Sequence, residues 1–324
     1  MAKILVTGAG GFIGSHLVER CVADGFEVRA FVRYNARNSW GWLEQTGCVK
    51  EVEIISGDIR DYDSVHNAAK GCQAIFHLAA LIGIPYSYTS PLAYVRTNVE
   101  GTYNVLQAGR SLDIGDILVT STSETYGTAQ YVPIDEDHPV VGQSPYSASK
   151  ISADQLAISY YTSFGLPVKI VRPFNSFGPR QSARAIIPSI VIQLLDCKKE
   201  ISVGSITPSR DFTYVSDTVE GFLEIFHCKS LVGQATNIGM NEETTIGDLV
   251  KTIAAMMGAA IEIKTDSVRI RPEKSEVERL RCDNTKLLTQ TRWKPKRNLR
   301  NGLEETIDWL KMHVDQYKAD IYNV

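Results

Sequence analysis

Along the first half of the chain, apolar and polar positions switch repeatedly between two periods. Strand candidates lie at residues 3–7, 27–32, 52–56, 74–78, 117–121 and 168–172, the first of them apolar enough to read as a strand buried on both faces. Between them, apolar residues recur at helical spacing over 12–23, 62–70, 91–111 and 146–164. Strand and helix in alternation predict an α/β chain built on a doubly wound parallel sheet. In such sheets ligands bind beyond the carboxyl ends of the strands, so the residues there carry the functional information. Past residue 175 the pattern continues with a helix over 184–195 and an amphipathic helix over 302–314, in which Leu303, Ile307, Trp309 and Leu310 are candidates for packing.

The first strand runs directly into Thr7-Gly8-Ala9-Gly10-Gly11-Phe12-Ile13-Gly14, and helical spacing starts at Phe12. Gly8 suits a tight turn, Gly11 lets backbone approach a pyrophosphate, and Gly14 lets the helix pack close on the strand. The free N–H groups of Phe12 and Ile13 would face the anion, aided by the helix dipole. An ordinary glycine-rich turn is the alternative, but the strand before and the helix after are the context a dinucleotide loop requires.

Composition narrows the field. The chain has 324 residues, of which 44% are hydrophobic and 22% charged, ordinary values for a water-soluble enzyme with one large or two smaller domains. A formal charge of −3 gives no reason to expect nucleic acid or an acidic membrane as partner. No apolar run reaches the length of a membrane span, and the N-terminus reads at once as a strand, leaving no room for a signal peptide. The six cysteines are scattered without Cys-x-x-Cys pairs, as expected of reduced thiols in a cytoplasmic protein. The six histidines lack metal-ligand spacing, and no metal is expected.

Chemistry then concentrates at the strand ends. After the second strand, where NAD-selective sites carry an acid for the ribose 2′-OH, stands Val32-Arg33-Tyr34-Asn35. Arg33 suits a 2′-phosphate and so favours NADP over NAD; a solvated surface arginine is the alternative. The third strand ends at Gly57-Asp58-Ile59, whose carboxylate could accept from an adenine amino group. The fourth ends at His77-Leu78-Ala79-Ala80, residues small enough to let a nucleotide pass close by. The fifth ends at Thr120-Ser121-Thr122-Ser123-Glu124, hydroxyls and a carboxylate at the nicotinamide end of such a groove. Helix capping accounts for Ser and Thr there, but a Glu at an apolar strand end needs another reason. Next comes Ser144-Pro145-Tyr146-Ser147-Ala148-Ser149-Lys150, with Tyr146 and Lys150 four apart on one helix face. An ammonium beside a phenol is expected to lower its pKa and fit it for proton transfer.

Taken with Asn98, Arg172-Pro173-Phe174-Asn175, Gly178-Pro179-Arg180-Gln181, Arg210-Asp211-Phe212 and Arg271-Pro272, these motifs resemble the extended short-chain dehydrogenases/reductases, in that family's order over nearly the whole chain. The resemblance implies a Rossmann-type domain over 1–175, with a segment near 210–240 returning to it, and a smaller C-terminal α/β substrate-binding domain over 176–324. It implies a tightly held, recycled NAD(P) in contact with Phe12, Ile13, Ile59, Leu78, Ala79, Ala80, Asn98, Tyr146 and Lys150. Asn175, Arg184, Arg210 and Arg271 match positions that hold a nucleotide-diphosphate sugar. Members pair through the helices at 91–111 and 146–164, so a homodimer is expected, with a tetramer as the alternative.

Thr122-Ser123-Glu124 is similar to the motif of GDP-mannose 4,6-dehydratases, in which Thr122, Ser123 and Glu124 would be catalytic beside Tyr146 and Lys150. The stretches 38–43, 81–88, 143–146 and 180–184 further resemble GDP-N-acetylglucosamine 4,6-dehydratases of legionaminic acid pathways, with the UDP-linked N-acetylhexosamine as rival substrate. UDP-glucuronate decarboxylases also carry Thr-Ser-Glu; a 4-epimerase and a catalytically inactive cofactor-binding sensor are the remaining alternatives.

Overall fold

In the computed structural model, which describes residues 2–318, the alternation becomes a layered sandwich. Seven strands form the sheet, numbered in chain order: β1 (Lys3–Thr7), β2 (Glu27–Arg33), β3 (Glu53–Gly57), β4 (Ala74–His77), β5 (Asp116–Thr120), β6 (Val168–Pro173) and β7 (Ala235–Ile238). They lie in the order β7-β6-β5-β4-β1-β2-β3, every neighbouring pair parallel. Chain order reverses between β1 and β4, which opens the ligand crevice beyond their carboxyl ends. β4 and β6 are buried at every position, and the two cations of β6 are paired, Lys169 with Asp116 at 2.7 Å and Arg172 with Asp154 at 3.0 Å.

Successive strand residues serve opposite faces. Ile4, Val6, Phe76 and Leu118 pack under α1 (Phe12–Ala23) and the helix Val215–His227, while Leu5, Ile75, Ile117 and Val119 pack under α2 (Tyr62–Ala69), α3 (Gly101–Ser111) and α4 (Pro145–Phe164). The long helix α4 has its ends written in sequence. Ser144 and Ser147 form a reciprocal capping box, Pro145 occupies the first turn, and Gly165 closes the C-terminus at φ 68°.

The helix expected as one piece over 91–111 is broken. Pro91–Tyr94 is α-helical, Val95–Glu100 is π-helical, and α3 begins at Gly101. Asn98 explains the wider turn, because its side chain is drawn out of the helix surface onto the loop after β4.

After residue 175 the chain leaves the sheet, returns to it with the helix Val215–His227 and β7, and leaves again. The excursions contribute short parallel pairs, Asn175–Phe177 with Phe212–Tyr214 and Glu200–Val203 with Glu262–Thr265, and the helices Ile186–Leu195 and Ile246–Met256. The helix expected from 184 starts at Ile186, leaving Arg184 on the preceding loop. Near the C-terminus, Leu299–Met312 buries Leu303, Ile307 and Leu310, while Trp309 meets Trp42 edge to face at 5.4 Å. No helix among the described residues is long and apolar enough to cross a membrane.

Candidate active site

The glycine loop fits a pyrophosphate. Gly8 adopts φ +71°, and a Cβ there would stand 2.7 Å from the Ala79 nitrogen, so the turn requires glycine. A side chain at Gly14 would run into the Gly8 carbonyl, which is how strand and helix come so close. Gly11 is exposed, caps α1 without any side-chain bond, and has no acid following it in the first turn. The N–H groups of Phe12 and Ile13 therefore lack a helical acceptor and are arranged for an anion. The loop at 38–45 braces this turn, with Trp42 N–H donating to Gly10 O at 3.0 Å.

Arg33 closes β2 exposed, opposite Gly57 and close enough to Asp58 to act on its charge. Asp58, expected to be open to an adenine, is instead held by Arg60, whose Nε lies 2.9 and 3.1 Å from its two oxygens. That pairing holds its carboxyl below the usual range. Ile59 is buried against the helical layer, with its carbonyl taking Asn104 Nδ2–H at 3.0 Å, so its side chain supports the groove from beneath.

Leu78, Ala79 and Ala80 line up half-exposed beyond β4 and are fixed by a buried relay. Thr102 donates its hydroxyl to Asn98 O at 2.6 Å, so its oxygen accepts from His77 Nε2 at 3.1 Å. His77 Nδ1 then accepts from the Thr7 hydroxyl at 2.8 Å, and the Thr7 oxygen accepts Ala79 N–H at 3.2 Å. Burial, followed by the Lys150 charge, lowers His77 to about 3, so the relay stays neutral. Asn98, expected as a cofactor contact, is buried and bonded to Leu81 N, Leu81 O and Ser149 Oγ at 2.8–2.9 Å. It positions the loop after β4 against α4.

The end of β5 meets α4 at the reactive groups. Thr122 caps the turn that carries Glu124, accepting Glu124 N–H at 3.2 Å, and also hydrogen-bonds the Tyr146 phenol. Ser123 is buried, whereas Glu124 keeps an open edge. The expected lowering of the Tyr146 pKa is reversed here. Burial pushes the phenol well above its ordinary value, Thr122 pulls it down, and the Glu124 charge raises it further. The Lys150 ammonium donates to the Thr120 carbonyl at the end of β5. Burial also lowers Lys150 to about 8, with Asp154 one turn along acting in the opposite direction.

Asn175, Arg184, Arg210 and Arg271, far apart in the chain, line one cavity of about 250 Å³, together with Arg269 and Glu276. Asn175 Oδ1 is buried there without a hydrogen-bond partner among the described residues. Arg210 is buried and pairs with Glu276 at 3.2 Å; Arg271 lies 3.4 Å from Glu276 and 3.8 Å from Glu124. Arg271 thus links the arginine-lined cavity to Glu124, whose charge in turn acts on the Tyr146 phenol. Glu276 and Arg269 were not singled out from sequence. The two-residue step from Arg269 to Arg271, with exposed Val268 and Ile270 alternating, was the signal available for Arg269. Among the described residues no group of His, Cys, Asp and Glu side chains is arranged to hold a metal ion.

Comparison with known proteins agrees with this geometry. A dTDP-glucose 4,6-dehydratase of Streptomyces antibioticus is 32% identical over 314 residues, covering 95% of this chain and 92% of the relative. A UDP-N-acetyl-alpha-D-glucosaminuronate decarboxylase of Bacillus cytotoxicus is 31% identical over 95% of this chain and 98% of its own. The crystal structure of a dTDP-glucose 4,6-dehydratase from Streptomyces venezuelae with NAD and TYD bound superposes with a TM-score of 0.88 at 27% identity, covering 98% of this chain and 99% of that one. The GDP-mannose 4,6-dehydratase profile matches residues 5–306. On that match the chain belongs to the GDP-mannose 4,6-dehydratase family, and it is a nucleotide-sugar enzyme of the extended short-chain dehydrogenase/reductase type.

Proposed function

We propose that the protein is an NADP-preferring 4,6-dehydratase of a nucleotide-diphosphate hexose, with GDP-N-acetylglucosamine as substrate, serving synthesis of legionaminic-type acids. The observation that carries the dehydratase reading is Glu124, a carboxylate 3.8 Å from Arg271 of the arginine-lined cavity and close enough to Tyr146 for its charge to act on the phenol. When bound, the oxidised nicotinamide would accept the hydride from C4, give it back to C6 as C5 regains a proton once water has left, and supply a positive charge that favours the phenolate. Tyr146 takes the proton of the sugar 4-OH, with Thr122 hydrogen-bonded to the phenol oxygen. The 4-ketone acidifies the C5 proton, which Glu124 removes. Ser123 is a buried hydroxyl and a poor acid, so Glu124 passes its proton to the departing C6 hydroxyl. Gly8, Gly11 and Gly14 seat the pyrophosphate, and Asn175, Arg184, Arg210 and Arg271 take the sugar nucleotide.

The choice of GDP-N-acetylglucosamine rests on resemblance in residues 38–43 and 81–88, while the relatives above are named for dTDP- and UDP-sugars. Preference for NADP rests on Arg33, an exposed cation where an NAD site would carry an acid. An exposed apolar row on the 91–111 helical region, with Leu92, Val95 and Tyr103, and Tyr161 and Phe164 on α4 support a homodimer in the cytoplasm. A second reading, decarboxylation of a nucleotide-linked uronate, is favoured by Arg184, a guanidinium in the cavity beyond Arg210 and Arg271.

Mass spectrometry after incubation with GDP-N-acetylglucosamine, UDP-N-acetylglucosamine, dTDP-glucose, GDP-mannose and UDP-glucuronate separately tests both. Loss of water from one of the first four establishes the dehydratase and names its substrate. Loss of carbon dioxide from UDP-glucuronate replaces it with the decarboxylase.

A further inference from the structure

The guanidiniums assigned to the diphosphate are already paired with carboxylates, and one of those carboxylates is the proposed base. Glu276 Oε1 takes Arg210 Nη2 at 3.2 Å, Arg271 Nη1 at 3.4 Å and the Val277 N–H at 3.1 Å. The same Arg271 nitrogen reaches Glu124 Oε1 at 3.8 Å. Arg210 faces Glu124, Glu276 and Arg271 together, and Tyr146 faces Glu124 from α4. The backbone that carries Glu276 is fastened to the catalytic loops. Gln143 Nε2 donates to Lys274 O at 3.2 Å, Thr128 Oγ1 donates to Glu276 O at 3.3 Å, and Ser209 N donates to Glu278 O at 3.0 Å. Glu276 therefore stands at a fixed place between cavity and base.

A diphosphate diester carries two charges and binds guanidinium groups in bidentate fashion, whereas Glu276 offers one carboxylate for both arginines. We propose, building on the nucleotide-sugar reading above, that Glu276 is an internal competitor for the diphosphate: it holds Arg210 and Arg271, with Arg271 against Glu124, and the arriving diphosphate takes both arginines from it. Occupancy of the cavity then draws Arg271 away from Glu124, so that the carboxylate proposed as base is uncovered only when a nucleotide is bound.

The test is calorimetric binding of the β-methyl esters of UDP, GDP and dTDP, which hold no reactive sugar, at pH 7. Glu276→Gln, which loses the competitor, should bind the ester about fivefold tighter than wild type, the scale of one partly screened ion pair. Glu124→Gln, which leaves the competitor in place, should bind no more weakly than wild type. Unchanged or weaker binding by Glu276→Gln overturns the proposal while leaving the nucleotide-sugar reading in place. Failure of the wild type to bind any of the three esters overturns both.

Discussion

Lys150 allows the burial argument to be tested by stability as well as activity. Its ammonium is buried under α4 and donates to the Thr120 carbonyl. Burial lowers it from 10.5 to about 8, against the pull of Asp154. That difference corresponds to about 3 kcal/mol in favour of the neutral amine relative to the unfolded chain. The folded value lies below the unfolded one, so between pH 8 and 10.5 the unfolded chain binds more protons. Stability therefore rises with pH through that window, and the full cost of the buried charge is present below about pH 8. Methionine has a similar length and no charge, but it leaves the Thr120 carbonyl without this donor, a loss of about 1 kcal/mol. Lys150→Met is expected to stabilise the protein by about 2 kcal/mol at pH 7, roughly 3 °C in Tm, while removing turnover. Unfolding of both proteins in urea at pH 7 and near pH 10 measures it, and the gain should fall close to zero at the higher pH. A variant less stable than wild type at pH 7, or a gain that persists unchanged near pH 10, would refute the claim that burial sets the charge of Lys150.

Four further outcomes are expected. Tyr146→Phe should leave dinucleotide binding intact and lower turnover by about a hundredfold or more; near-full activity would remove the phenol from proton transfer. Glu124→Gln should still oxidise C4, seen as accumulating absorbance of reduced nicotinamide, but release no dehydrated sugar, and undiminished dehydration would require another base. Arg33→Ala should weaken NADP about tenfold while changing NAD little, the loss of one charge-assisted contact; equal effects would make Arg33 a surface residue. Tyr103→Glu, a charge placed in the exposed apolar row, should shift sedimentation toward monomer, and an unchanged oligomer would move the interface elsewhere.

The features legible beforehand are those fixed by near neighbours in the chain. Gly8 and Gly14 are demanded by a turn of a few residues, and Ser144, Pro145 and Gly165 mark the ends of α4 whatever packs against it. The sheet followed from the alternation of strand and helix patterns along the chain. Asn98 shows where local reading stops. An asparagine in a helical pattern has no local sign that its amide will bridge Leu81 and Ser149, and those distant partners are what open the helix into a π-turn. The same limit inverted the Tyr146 prediction. Four residues of separation put Lys150 on the right face, but burial, set by how β5 meets α4, dominates the charge state of both groups. Glu276 is the furthest case, an acid 66 residues from Arg210 in a segment tied to Gln143 and Thr128. Its importance comes from sharing Arg271 with Glu124, a relation between three chain segments that no spacing within one of them could express. Groups whose charge state matters to catalysis are the ones whose surroundings are assembled from most of the chain, so their placement on an element can be read locally while their electrostatics cannot.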